Sequence, residues 1–160
     1  LAVEPFRCFI NPDDPSFELP GNLPKRVQEY CERTGQTVPQ TRGEIMRCIY
    51  ESIALKYRYT FQAIREATGK AYETIHMIGG GTKDRLLCQM TADACNCPVI
   101  AGPIEATAMG NIAVQLIALG EFSGLKEARA VIANSEQPKS YLPADPAAYD
   151  VAYARFQAVQ

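Results

Sequence analysis

Ile75-His76-Met77-Ile78-Gly79-Gly80-Gly81-Thr82-Lys83-Asp84 reads as a short apolar strand that runs into three glycines and then into a helix. The order places bare backbone at the mouth of a helix. Glycines carry no Cβ, so a phosphate-bearing ligand can come close to the main chain there. The first helical turn behind them offers N–H groups without intrahelical partners and the positive end of the macrodipole. The loop is therefore a candidate nucleotide site. It fits neither Gly-x-Gly-x-x-Gly nor the Walker pattern that ends in Gly-Lys-Ser/Thr, and three glycines after a strand also serve as a plain turn.

Upstream, Thr41-Arg42-Gly43-Glu44 is a capping-box signature, with hydroxyl and carboxylate three residues apart. Behind it Ile45, Ile49, Ile53, Tyr57, Phe61 and Ile64 recur at helical spacing, and Gly69 supplies a stop. The spacing predicts one long amphipathic helix with that stripe as its inner face. Before it, turn clusters at 11–15 and 19–24 leave room for a short helix over 24–33 only. Downstream, the reading is a helix over 83–95 with Leu86, Leu87, Met90 and Ala94 inward, a buried strand over 98–101, and a helix over 105–119. A helix over 124–133 capped by Ser123 follows, then a loop with Pro138, Pro143 and Pro146, and a last helix ending near Gln160. Helix, strand, helix, strand, helix implies α/β layers with parallel strands. Two strands make a poor sheet, so further strands are expected upstream of Leu1. Leu1 is not an initiator methionine, which also reads as a piece of a longer or processed chain.

A chain of 160 residues is one domain's worth, with 47% hydrophobic and 21% charged residues. A net charge of -2 argues against a nucleic-acid surface. No apolar run reaches bilayer length and no signal peptide is evident.

The six cysteines are Cys8, Cys31, Cys48, Cys88, Cys95 and Cys97. They are too sparse for a disulfide scaffold. Cys95-Asn96-Cys97 is too tight for a Cys-x2-Cys ligand pair and His76 is the one histidine, so no metal site is expected from spacing. The simplest reading is buried thiols in a reducing cytoplasm. Cys31 and Cys48 flank a turn, which leaves a bridge between them open. His76 is expected to be a packed strand residue and Glu105 a capping carboxylate at a helix start. Lys56, Arg58, Arg65 and Glu66 are expected to be solvated, with Tyr50, Tyr57, Tyr59 and Phe61 in the core or an interface.

The second helix entry sharpens the picture. Gly102-Pro103-Ile104-Glu105-Ala106-Thr107-Ala108-Met109-Gly110-Asn111 places small side chains in one turn, either for tight packing or for close approach of a ligand. Two such entries after successive parallel strands would lie side by side at the carboxyl ends, where α/β folds bind ligands. Together with Phe9-Ile10-Asn11-Pro12-Asp13-Asp14-Pro15, Thr41 to Glu44, Glu51-Ser52-Ile53-Ala54-Leu55 and Thr91-Ala92-Asp93-Ala94, this pairing resembles the FGGY family of sugar kinases, most of all its rhamnulokinase branch. The likeness covers most of the chain and fades after Gly120.

The resemblance implies an α/β fold, part of an actin-like (hexokinase-like, ribonuclease H-like) ATPase domain, helix-rich with a short, mostly parallel sheet. It implies an irregular entry segment over 1–40, the C-terminal ATPase lobe over 41–120 and a helical extension over 121–160. The implied reaction is transfer of the ATP γ-phosphate, with Mg, to the 1-hydroxyl of L-rhamnulose in the cytoplasm. Gly80 would lie against ATP, with Gly79 and Gly81 shaping the loop. Asp84 stands where the family often has an asparagine that contacts the adenosine; an aspartate accepts hydrogen bonds but offers no amide N–H. The catalytic aspartate and the sugar pocket would lie in an N-terminal domain upstream of Leu1, so this chain would hold one wall of the ATP site, with no catalytic residue and no metal ligand. A non-catalytic nucleotide-binding or sugar-sensing module of the same fold is the alternative. A redox or metal domain built on Cys88, Cys95 and Cys97 is a third reading. A Rossmann unit is disfavoured because the strand over 98–101 ends in Gly102-Pro103, not in an acidic residue.

Overall fold

A computed structural model describes residues 3–18 and 20–160. Its elements are α1 (Leu23–Arg33), α2 (Arg42–Thr68), β1 (Ile75–Met77), a 3-10 turn (Gly80–Lys83), α3 (Arg85–Cys95), β2 (Val99–Ala101), α4 (Ala106–Ala118), α5 (Leu125–Ser135), β3 (Lys139–Tyr141) and α6 (Pro146–Gln157). Among the described residues no helix is long and apolar enough to cross a membrane.

Helix ends follow their local chemistry. At α2 the capping box is complete: Thr41 Oγ1 accepts from Glu44 N at 3.2 Å and Glu44 Oε2 accepts from Thr41 N at 2.9 Å. The helix stops at Gly69, whose φ of 64° is left-handed. α5 differs from expectation. Its cap residue is Gly124, and Ser123 instead donates to Glu127 Oε2 from both its backbone N–H and its hydroxyl.

β1 and β2 are parallel, with Ile75 opposite Val99 and Met77 opposite Ala101. The crossover between them is α3, as a parallel pair requires. The third strand comes from the proline-rich stretch read as a loop: β3 pairs antiparallel with β2, Ala101 opposite Lys139 and Val99 opposite Tyr141. The sheet is thus mixed, in the order β1-β2-β3. Pro138 and Pro143 stand just outside β3, where a missing N–H costs the ladder nothing.

α3 is the hub. It packs against α2, β2 and α6, and Cys88, Met90, Thr91, Ala92, Asp93, Ala94 and Cys95 are all buried. Leu86, expected inside, is 42% exposed. One core cluster joins Phe9, Ala54, Leu55, Met90, Ala94, Tyr149, Ala152, Tyr153 and Phe156, so residues from the entry segment and from α6 meet on α2 and α3. Phe9 and Phe156 meet edge to face, ring centroids 6.1 Å apart. The inner face of α2 is not the predicted stripe throughout. Cys48, Glu51, Ser52 and Leu55 face inward while Tyr57 and Ile64 are largely exposed. The helical period holds, but the buried face is rotated because two polar residues have backbone partners to satisfy.

Those partners lie in the entry segment, where Cys8, Phe9 and Ile10 are buried without belonging to a sheet. A buried backbone needs hydrogen-bond partners, and here side chains supply them. Phe6 N donates to Glu51 Oε2 at 2.8 Å, Ile10 N to Ser52 Oγ at 2.9 Å, and Phe9 N to Gln36 Oε1 at 2.8 Å. Gln36 Nε2 donates back to Phe9 O at 2.7 Å, so one amide imitates a neighbouring strand. At the other end, the buried Asp93 accepts from Ala144 N at 2.6 Å and from Gln89 Nε2 at 3.0 Å, anchoring the approach to α6.

Lys56 and Arg58 are not freely solvated, contrary to expectation. Lys56 Nζ lies 2.8 Å from Asp13 Oδ2, and Arg58 pairs with Asp150 at 2.7 Å while its guanidinium stacks over the Tyr153 ring. Both have long aliphatic stems that cover apolar surface while the charge reaches a partner.

Removing the Phe156 ring leaves a cavity at the junction of α2, α3 and α6. Phe156→Ala should therefore cost about 3–5 kcal/mol of stability, read from urea unfolding of the chain. Asp14 supplies a pH-dependent element. The Ser16 hydroxyl, then Arg33, hold its carboxyl down at about 2 from 3.8. A depressed carboxylate contributes fully above its unfolded pKa and loses that contribution as the pH falls through the folded value. Asp14→Asn should thus flatten the acid limb of the stability profile between the two values and leave neutral pH less stable.

Candidate nucleotide site

The carboxyl ends of β1 and β2 lie next to each other because the strands are parallel and in register. Two backbone hydrogen bonds then tie the segments that leave them. Gly102 N donates to Met77 O at 2.9 Å, and Gly79 N donates to Pro103 O at 3.0 Å. The triple-glycine corner and the small-residue helix entry are thereby held in direct contact.

At the first corner Gly79 adopts φ 85° and ψ −168°, a conformation that side-chain-bearing residues rarely reach. Gly80 and Gly81 enter a 3-10 turn whose first internal bond is Thr82 N to Gly79 O at 3.1 Å. The Gly80 and Gly81 N–H groups precede that bond. The buried Thr82 braces the turn from below, its hydroxyl donating to Gly79 O at 2.6 Å. A Cβ added at Gly79, Gly80 or Gly81 would meet nothing within 4 Å, so all three face open space. The expected passage from glycines straight into a helix is thus interrupted by a separate turn, and α3 starts at Arg85.

Asp84 joins the turn to α3. Its Oδ1 accepts from Leu87 N at 3.1 Å as the helix cap, and its Oδ2 accepts from the Tyr50 hydroxyl on α2. That bond pushes the Tyr50 phenol above its ordinary pKa. Both carboxylate oxygens therefore already have protein donors, and a ligand donor would have to share one of them. Asn would cap the helix equally well, so the local structure explains an acceptor at 84 without requiring a charge.

At the second corner Gly102 has φ 133°, and a Cβ there would stand 3.4 Å from Pro138 Cα. The Gly102-Pro103 peptide is cis. Ile104 N donates to both oxygens of Glu136, at 3.1 and 3.2 Å, which fixes the loop to the end of α5. Glu105 is the cap residue of α4 but makes no capping bond with its side chain. An open hollow of ≈ 210 Å³ lies between the corners and β3, lined in part by Thr82, Lys83, Arg85, Ala101, Glu136 and Lys139. Three of those side chains are cationic and one is anionic, and the anion is already engaged by Ile104 N. The hollow therefore favours an anionic group.

Gly79, Gly80, Gly81 and Asp84, the residues singled out from sequence, all come to this corner. Arg85 and Lys139 join them with no motif to mark them, and Tyr50, expected in the core or an interface, is half-buried against Asp84. Lys139 belongs to a strand hidden among prolines, and Tyr50 lies 34 residues from Asp84 with no local pattern linking them. His76, expected to be packed, is exposed on the edge strand and borders a separate groove with Ile78, Ile100 and Arg129. Cys88, Cys95 and Cys97 are buried free thiols. Burial raises Cys88 and Cys97 above the ordinary thiol value and pushes Cys95 up to about 12, which suits inert packing better than thiolate chemistry.

Comparison with known proteins matches residues 1–119 to the C-terminal domain of the FGGY family of carbohydrate kinases. The chain is similar to the rhamnulokinase of Bacteroides thetaiotaomicron, 47% identical over 98% of this chain and 32% of that protein. It is also similar to the rhamnulokinase of Bacillus subtilis, 44% identical over 89% of this chain and 30% of that protein. The chain thus spans less than a third of the length of these curated relatives. Among solved structures, the xylulose kinase from Rhodospirillum rubrum superposes with a TM-score of 0.57 at 28% identity, over 78% of this chain and 25% of that one. An actin-like ATPase fold, helix-rich around a small sheet, and a family model that takes in both glycine corners lead to one assignment: the chain belongs to the FGGY family of carbohydrate kinases and carries its C-terminal domain.

Proposed function

We propose that this chain forms one wall of the nucleotide site in a cytoplasmic kinase that transfers the ATP γ-phosphate to the 1-hydroxyl of L-rhamnulose. The observation that supports the reading best is the pair of hydrogen-bonded corners at the carboxyl ends of β1 and β2, with three glycines facing open space. The sugar is inferred from the names of the relatives. The anion preference of the hollow fits a polyphosphate, with Lys83, Arg85 and Lys139 as its cationic rim. The Gly80 backbone lies against the nucleotide, Gly79 and Gly81 give the loop its shape, and Asp84 holds the corner and accepts from the adenosine.

Phosphoryl transfer depends on positioning and on charge stabilisation from both sides of the cleft. This wall supplies backbone N–H groups and cations. The catalytic aspartate, the sugar pocket and the carboxylates around Mg come from the remainder of the kinase. Magnesium neutralises the phosphate charge when bound. Glu136, the carboxylate that lines the hollow, accepts from Ile104 N and serves the loop there.

Two measurements check this. In the intact kinase, Gly80→Val should raise the KM for ATP by about tenfold or more, equal to about 1.4 kcal/mol, with the KM for L-rhamnulose and the melting temperature little changed. A Cβ at Gly80 meets no protein atom within 4 Å, so an unchanged KM for ATP would remove the nucleotide from this corner. The 160-residue chain alone should release no ADP above background with ATP, Mg and L-rhamnulose in a coupled assay. Turnover by it at an enzyme-like rate would refute the division of labour. An intact protein that binds ATP but phosphorylates no sugar would favour a sensing module instead.

A further inference from the structure

Tyr50 joins the nucleotide corner to the core. It lies on α2, half-buried, with its ring packed against the cluster that holds Phe9, Leu55, Met90 and Tyr149. Its hydroxyl donates to Asp84 Oδ2, 34 residues away. Asp84 is the joint between the glycine turn and α3. Its backbone N donates to Gly81 O at 3.1 Å, its carbonyl oxygen accepts from Cys88 N at 3.1 Å, and its Oδ1 accepts from Leu87 N at 3.1 Å. One carboxylate oxygen is therefore tied to α3 and the other to α2.

We propose that Tyr50 is a positioning residue for the nucleotide, a role that rests on this corner being the nucleotide wall. Its hydroxyl holds the Asp84 carboxylate in one orientation. A carboxylate anchored at both oxygens does not turn about its Cβ–Cγ bond, so the direction from which it accepts a ligand donor is set in advance. Such preorganisation spares the ligand the cost of ordering the site. The hydroxyl also disperses a negative charge beside the hollow. Lys83 and Arg85 flank Asp84 in sequence and line that hollow. Without the phenol, Oδ2 loses its donor from α2 and turns toward one of these cations, which it then withdraws from phosphate. The bond to Asp84, then burial, raises the Tyr50 phenol above its ordinary pKa, so it stays a donor at neutral and mildly alkaline pH.

The test is a double-mutant cycle in the intact kinase, read as steady-state kinetics with ATP and L-rhamnulose. Tyr50→Phe keeps the ring and its packing and removes only the donor. It should raise the KM for ATP about fivefold, with kcat and the KM for L-rhamnulose little changed. Asp84→Asn keeps an acceptor for the Leu87 cap but carries no charge to compete for Lys83 or Arg85. Made on top of Asp84→Asn, the Tyr50→Phe change should cost less than about twofold. An equal rise in both backgrounds assigns Tyr50 to packing alone and overturns the proposal. An unchanged KM for ATP in Tyr50→Phe also overturns it, and if Gly80→Val raises that KM the nucleotide wall stands without Tyr50. If neither variant moves the KM for ATP, the nucleotide wall falls and the role of Tyr50 with it.

Discussion

The parallel pairing of β1 with β2 is the constraint on which the rest of the molecule depends. It is only three residues long on each strand, so it needs reinforcement from outside. The two backbone bonds between the exit loops, Gly102 N to Met77 O and Gly79 N to Pro103 O, carry the pairing past the strand ends. Each is worth only about 0.5–1.5 kcal/mol net. Their importance is geometric, because they set the spacing of two loops that would otherwise move independently. β3 guards the other edge of β2 and brings Lys139 level with Ala101.

That small sheet is held in turn by α3, and α3 by α2 and α6. The buried faces of these helices are not purely apolar. Glu51, Ser52 and Asp93 sit among Leu55, Phe9 and Phe156, and each carries backbone N–H groups of an irregular segment. Buried polar groups with full sets of partners specify one arrangement, whereas an apolar face would tolerate several.

Local signals were legible in the sequence. The Thr41–Glu44 box, the Gly69 stop, the α3 crossover and the glycine corner rest on contacts within a few residues, and all are present in the structure. What failed was non-local. The stripe from Ile45 to Ile64 has the right period, but the face of α2 turned inward depends on where Phe6 and Ile10 place their N–H groups. β3 was hidden because Pro138 and Pro143 advertise a loop, while the strand between them needs only one neighbour. In the candidate site, Gly79, Gly80 and Gly81 could be named from their order along the chain, and Asp84 from the family resemblance. The Tyr50 bond to Asp84 and the Lys139 rim could not, since no spacing rule spans such separations.

The entry segment and α6 are clasped together. Arg155 on α6 donates to Phe6 O at 2.7 Å and to Arg7 O at 3.2 Å, across 149 and 148 residues, and Phe9 rests on Phe156. Contacts of such sequence separation form late, because the loop entropy must be lost before they are made. On a ribosome, this entry segment emerges well before the helix that seals it. Through that interval its apolar run of Cys8, Phe9 and Ile10 is without its final cover and open to wrong association.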